Sequence, residues 1–301
     1  MRAVHAYIDI KHRTTTAFKS EVDLAVWKLS VLRNKALGFT TVLYTTEADI
    51  DFLKAVGLYK LYDEVHTVWD SRYEQINIDK FWAAFKFIAI EHEIKRNEQF
   101  FVMDTDLVFT DDYILRKLRA PMLNWLNSEP MHYYCKLDQI SYPPNFKFPY
   151  YFSAFIRPIN TAIIKCDNNE LLKEWLDIAW RYMIDNPCDK GSTWMCTVEQ
   201  RFLANVIKKY KIEHWFMCDS VTDNFGPHNF HTWGNKKVLN ENPLLSKHWL
   251  KGLALLIRQE SEEAFTDMFA HPMPKFQQVI LEWDRLTVPK ILRKYLKKEE
   301  E

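Results

Sequence analysis

Apolar positions in the first hundred residues follow two alternating rhythms. Short apolar or alternating runs at Val4 to Ile8, Thr41 to Tyr44, Glu64 to Val68 and Phe100 to Met103 predict strands. Between them lie helical patterns. Val22, Val26, Leu29, Leu32 and Leu37 recur at helical spacing from Ser20 to Leu37, with Gly38 as C-cap. Ala48 to Val56 reads as a short helix closed by Gly57. Asp79 caps a helix running to about Lys95, with Phe81, Phe85, Ile88 and Ile94 near one face. Phe100 to Met103 is apolar without interruption, as expected of a strand covered on both faces. Such alternation predicts an α/β fold with a mostly parallel central sheet flanked by helices. Ligands of these sheets bind beyond the carboxyl ends of the strands, so the residues after Met103 are the first place to look for chemistry.

The second half is less regular. Residues 143–149 (PPNFKFP) form a proline-broken loop. Leu172, Trp175, Leu176, Ala179 and Met183 mark an amphipathic helix over residues 170–184, and a further helix is expected from Val198 to Lys209. Pro272, Pro274 and Pro289 punctuate the tail. With no internal repeat and no low-complexity linker, the pattern predicts one domain over residues 1–270 and a helical C-terminal extension over 271–301.

Composition narrows the function. Of 301 residues, 48% are hydrophobic and 27% charged, an ordinary globular balance that can bury a sizeable core. Aromatics reach 15%, enough for a well-filled core, with sugar- or base-stacking surfaces as the other reading. Lys plus Arg and Asp plus Glu are equal at 40 each, which argues against a nucleic-acid partner. Five cysteines, with no C-x-x-C pair, argue against a disulfide framework and a structural zinc site and predict a reducing, cytoplasmic setting. His5, Asp9 and Lys11 interrupt the start, so no secretory leader is expected, and no apolar stretch is long enough to span a bilayer. The basic, amphipathic stretch 290–298 reads as a solvated terminal helix or as a contact with the inner face of a membrane.

Asp104 and Asp106 end the apolar run Phe100 to Met103. On an extended chain, residues two apart point the same way, so both carboxylates are expected on one side of a buried strand's lip. Two such charges repel unless neutralised, and a hard divalent cation does so while also binding substrate phosphates. Asp49 and Asp51 have the same spacing but open a short helix, where acids simply complement the positive helix end.

Four further pieces, taken in order, give the chain a family resemblance. These are Asp79-Lys80-Phe-Trp-Ala-Ala-Phe-Lys86 before the acidic strand, Arg157-Pro-Ile-Asn160-Thr-Ala162-Ile-Ile164, Glu199-Gln200-Arg-Phe-Leu203-Ala-Asn205, and His231-Thr-Trp-Gly234-Asn-Lys-Lys237. In this order the sequence resembles the GT-A glycosyltransferases, most closely the retaining group of glycogenin, the galactinol synthases and the lipopolysaccharide glucosyl- and galactosyltransferases. The resemblance spans roughly residues 3–240. It implies a GT-A domain in which a lysine of this helix helps bind the donor, with Lys80 the better match and Lys86 the other candidate unless it is an ordinary surface lysine. Asn160, Glu199 and Gln200 would face the donor sugar. His231 would join Asp104 and Asp106 as a ligand of Mn²⁺ or Mg²⁺, with Gly234 and Lys237 meeting the diphosphate. His228 competes with His231 for the ligand role. The chain departs from the family pattern at Ala162 (usually Gly), Glu199 (usually Asp) and Val238-Leu239 (usually Pro-Trp).

The implied activity is transfer of a hexose from a nucleotide sugar, by resemblance a UDP-sugar, to a glycan or glycolipid acceptor with retention. No nucleophile or base is assigned. A sugar nucleotidyltransferase is the enzymatic rival, although the glycine-rich phosphate loop such enzymes usually carry after the first strand is lacking here. The non-enzymatic rival is a degenerate domain that only binds a glycan or a partner.

Overall fold

In chain order the computed structural model contains β1 (Arg2–Ala6), α1 (Glu21–Ala36), β2 (Thr40–Thr45), α2 (Ile50–Ala55), β3 (Glu64–Thr67), α3 (Phe85–Arg96), β4 (Phe100–Met103) and β5 (Leu107–Phe109). There follow α4 (Tyr113–Lys117), β6 (Met122–Leu126), β7 (Ile163–Cys166), α5 (Asn169–Met183), α6 (Trp194–Cys196), a π turn (Thr197–Arg201), α7 (Phe202–Tyr210), β8 (His214–Cys218) and β9 (Asn229–His231). The structure describes residues 1–8, 21–109, 111–126, 129–153, 155–218, 229–231 and 242. The expected extension over 271–301 and the basic stretch 290–298 lie outside these residues. Among the described residues no helix is long and apolar enough to cross a membrane.

The chain divides into two units. The first comprises Met1–Thr14, Thr40–Asp104 and Lys117–Val221. Its sheet has seven strands in the order β3-β2-β1-β4-β7-β6-β8. β3, β2, β1 and β4 run parallel, as do β6 and β8, while β7 runs antiparallel to both β4 and β6. The sheet is therefore mostly parallel and flanked by helices, as the alternation predicts. Val4 stands level with Val42 and Val102, and all three are fully buried, as expected of strands covered on both faces. From β1 the chain goes to β2 on one side and later to β4 on the other, so a topological switch point lies between β1 and β4.

Helix α3 is buried along Phe85, Phe87, Ile88, Ala89 and Ile90, and Phe87 meets Trp175 of α5 edge-on with ring centroids 5.0 Å apart. It starts at Phe85, not at Asp79. Before it, Lys80 N bonds to Asn77 O at 3.0 Å and Ala84 N to Phe81 O at 3.0 Å, the three-residue spacing of turns. Of the other pair of acids, buried Asp49 accepts the Thr46 hydroxyl at 2.5 Å in a short 3₁₀ turn ahead of α2, and Asp51 lies in the first turn of that helix.

At the amino edge of the sheet, Arg2 clamps two acids. Its Nε lies 2.7 Å from Glu93 of α3 and its Nη1 2.6 Å from Glu64 of β3, and Tyr44 donates to Glu93 at 2.6 Å. Glu93 is fully buried, so this network satisfies a charge that burial alone would forbid.

The second unit comprises Thr15–Phe39, Thr105–Arg116 and Thr222–Glu301. Here α1 buries Val26, Trp27, Leu29 and Val31 and ends at Gly38, whose φ of +82° suits glycine. β5 and β9 pair antiparallel, with Leu107 opposite His231 and Phe109 opposite Asn229. Arg33 of α1 donates to Phe109 O at 3.1 Å.

Hydrogen bonding to Arg2 holds the Glu64 carboxyl at about 2, below its ordinary 4.5. A depressed carboxyl contributes stability that is full above the ordinary value and is lost as pH falls toward the depressed one. Glu64→Gln should therefore destabilise the protein in urea unfolding at pH 7, and its difference from wild type should shrink as pH drops from about 4.5 toward about 2.

Candidate functional site

Directly beyond β4, Asp104 N donates to Ala162 O at 2.8 Å, because antiparallel β7 begins alongside with Met103 opposite Ile163. Two segments picked out from the sequence, Asp104 and Asn160-Thr161-Ala162, thus meet at the switch-point edge of the first unit. Lys86, in the first turn of α3, reaches the same place. Its ammonium lies 2.7 Å from Asp104 Oδ1, donates to Thr161 O at 3.2 Å and forms a very short ion pair with Glu199 Oε1. The Lys86 and Glu199 side chains are only 9% and 4% exposed, whereas Asp104 is 34% exposed. Burial alone would lower the lysine's pKa, but Asp104 and Glu199 outweigh it and hold Lys86 above the ordinary lysine range. Burial, with the Asp104 charge nearby, pushes Glu199 above the ordinary carboxylate range against the pull of Lys86.

Glu199 and Gln200 belong to the π turn Thr197–Arg201, all of it buried, inserted between α6 and α7. A π turn widens the helix by one residue and redirects its side chains, and such turns are frequent at functional sites. The sequence predicts a helix starting at Val198; the structure shows a helical run from Trp194 in which the acid and amide sit mid-run.

A second polar group adjoins this turn. The Tyr134 hydroxyl sits in very short contact with both Glu129 Oε2 and the Gln200 side-chain amide. Asn160 Nδ2 donates to Glu129 Oε1 at 2.7 Å, while Asn160 Oδ1 accepts from Ala162 N at 2.8 Å. One phenol hydrogen cannot serve two acceptors, so the consistent arrangement has Tyr134 donating to Glu129 and the Gln200 NH₂ facing the phenol oxygen. Burial, then the Glu129 charge, pushes the Tyr134 pKa upward and keeps the phenol protonated. Burial pushes the nearby Cys196 thiol up to about 12, so it is no ready thiolate.

In the second unit, the β5–β9 pairing brings the second acid to its predicted histidine. His231 Nε2 lies 3.3 Å from Asp106 Oδ1, and the two side chains are 3% and 9% exposed. Asp104, Asp106 and His231 each offer one atom of a kind that binds a metal ion. The reason Asp106 takes its place differs from expectation. The chain does not continue extended from Asp104; it turns at Thr105 and Asp106, and Leu107 opens a new strand. Strand alternation therefore does not set the direction of the two carboxylates.

Of the two candidate lysines, Lys80 has its ammonium 4.8 Å over the Trp194 ring, and Lys86 is the one that pairs with Asp104. Gly234, Lys237 and His228 lie outside the described residues. Glu129 and Tyr134 were missed, and Lys86 was ranked behind Lys80. The signal for Lys86 was present, since Phe85, Phe87, Ile88, Ala89 and Ile90 leave it no polar helix face.

No protein-family model and no curated protein matches the chain. Among solved structures it is similar to mouse xyloside xylosyltransferase 1 in its apo form, at 10% identity and a TM-score of 0.42, over 78% of this chain and 98% of that one. It is also similar to the inositol-1-phosphate CTP transferase of T. maritima, at 13% identity and 0.41, over 86% and 96%. The PaToxG glycosyltransferase matches at 14% identity and 0.33, over 90% and 78%.

Lys86→Met would leave the buried Glu199 without its cation. Urea unfolding at pH 7 should show a loss of about 3 kcal/mol, the usual cost of stranding one member of a buried pair. The Lys86→Met/Glu199→Gln double variant should recover much of it, because no charge is then left buried.

Proposed function

We propose that the chain is a metal-dependent glycosyltransferase of the GT-A kind, moving a hexose from a nucleotide sugar, with UDP-sugars the leading donors, to a glycan or glycolipid acceptor. The observation that carries this reading is the meeting of Asp106 and His231 across the β5–β9 pair. The sequence motifs pick out both residues as ligands of one ion, although they lie far apart in the chain.

Asp104, Asp106 and His231 would hold Mn²⁺ or Mg²⁺. Two carboxylates and one imidazole suit these ions better than softer ones. The ion, when bound, supplies Lewis-acid stabilisation of the departing diphosphate. Gly234 would let the backbone approach that diphosphate, and Lys237 would add charge to it. Lys86 would be the cation beside the acids, where it bridges Asp104 and Glu199 and screens their mutual repulsion. Asn160, Gln200 and Glu199 would address the donor sugar from the polar group built with Glu129 and Tyr134. Their geometry is fixed before any ligand arrives, which lowers the ordering cost of binding. Retention of configuration is what the glycogenin-like resemblance implies, and the lack of internal repeats and low-complexity linkers is what supports a single catalytic domain over residues 1–270.

Thermal unfolding with UDP, GDP and CMP, each with and without Mn²⁺, tests this directly. UDP at a hundred times its dissociation constant should add about 2.7 kcal/mol, and only when Mn²⁺ is present. Asp106→Ala should remove the metal-dependent part of the shift. Absence of a shift with every nucleotide would contradict the proposal and favour a domain that binds glycans or partners without turnover.

A further inference from the structure

The two most exposed large hydrophobic side chains among the described residues are Phe155, at 90%, and Tyr151, at 84%, and both lie on one loop between β6 and β7. Their base is firmly held. Phe148 stacks on Phe152 with ring centroids 4.1 Å apart, and both rings meet Phe202 edge-on at 5.3 and 5.1 Å. Ser153 N donates to Asn205 Oδ1 at 2.9 Å, and Phe155 N to Ser153 Oγ at 3.2 Å. Half-buried rings packed on the core ring Phe202 and two exposed rings on the same loop point to a surface that meets something apolar.

The charge around this loop selects the partner. Between Asp138 and Asp167 the sequence has no acidic residue, while Lys147 and Arg157 are exposed. Glu174, whose charge acts on Tyr150, is paired with Lys209 at 2.5 Å and also accepts from Tyr210 at 2.9 Å. Aromatic rings flanked by basic residues suit the boundary between acyl chains and anionic headgroups. A second copy of the chain would instead set Lys147 and Arg157 against like charges. We propose that this loop docks the protein on an anionic phospholipid membrane, with Tyr151 and Phe155 entering the headgroup layer and Lys147 and Arg157 meeting its charge. The inference is independent of the assigned activity.

Co-sedimentation of the full chain with vesicles of phosphatidylcholine alone, or mixed with phosphatidylglycerol, tests it. Binding is expected only to the mixed vesicles and should weaken as salt rises above about 0.1 M. Tyr151→Ser/Phe155→Ser and Lys147→Glu/Arg157→Glu should each lower the partition about tenfold. Both pairs lie on the surface, so their thermal unfolding should match wild type. Absence of binding to anionic vesicles, equal binding to neutral ones, or binding that survives both variants, as a contact through residues 290–298 would, overturns the proposal.

Discussion

One buried ammonium group organises the carboxyl edge of the large sheet. Lys86 enters the first turn of α3, where the helix dipole and burial both disfavour a positive charge. It is tolerated because Asp104 and Glu199 approach from two other elements and the Thr161 carbonyl takes a further hydrogen. That arrangement ties together α3, the end of β4, the entry to β7 and the π turn. Displacing α3 or the π turn would strand the buried charge of Glu199 or Lys86. The π turn is part of the same constraint, since it sets the direction in which Glu199 leaves its helix.

The same constraint fixes the neighbouring polar residues. Asn160 leads into β7 one residue before Thr161, and its side chain is held at both ends by Glu129 and the Ala162 amide. Gln200 follows Glu199 in the turn and is held by Tyr134. Donors and acceptors are thus set around Asp104 by hydrogen bonds made during folding. Ala162 stands where the resembled family has glycine, yet its amide and carbonyl both bond within this group, so the methyl does not keep the backbone from closing up.

Much of the fold was legible because burial is nearly uniform along its central strands. Phe100 to Met103 is buried at every position, and its apolar run matches β4 residue for residue. Val4, Val42 and Val102 form one buried row for the same reason. The reversed strand β7 carries no local mark, since its residues are as apolar as those of a parallel strand. The turn at Thr105 and Asp106 was also hidden, because Leu107 to Phe109 simply extends the hydrophobic pattern across the break. Asp104, Asp106 and His231 could be named from motif order alone. Glu129 and Tyr134 could not, because they come from an irregular stretch with no periodicity, and only the folded chain shows them meeting Gln200.

The most direct measurement is Mn²⁺ binding followed by electron paramagnetic resonance, in which protein-bound ion depletes the signal of the free ion. Wild type titrated with Mn²⁺ in the presence of UDP should bind one ion per chain, and Asp104→Ala, Asp106→Ala and His231→Ala should each abolish that site while the chain remains folded. Binding of Mn²⁺ unchanged in all three variants, or none in the wild type, would contradict the assignment of these residues as the metal site.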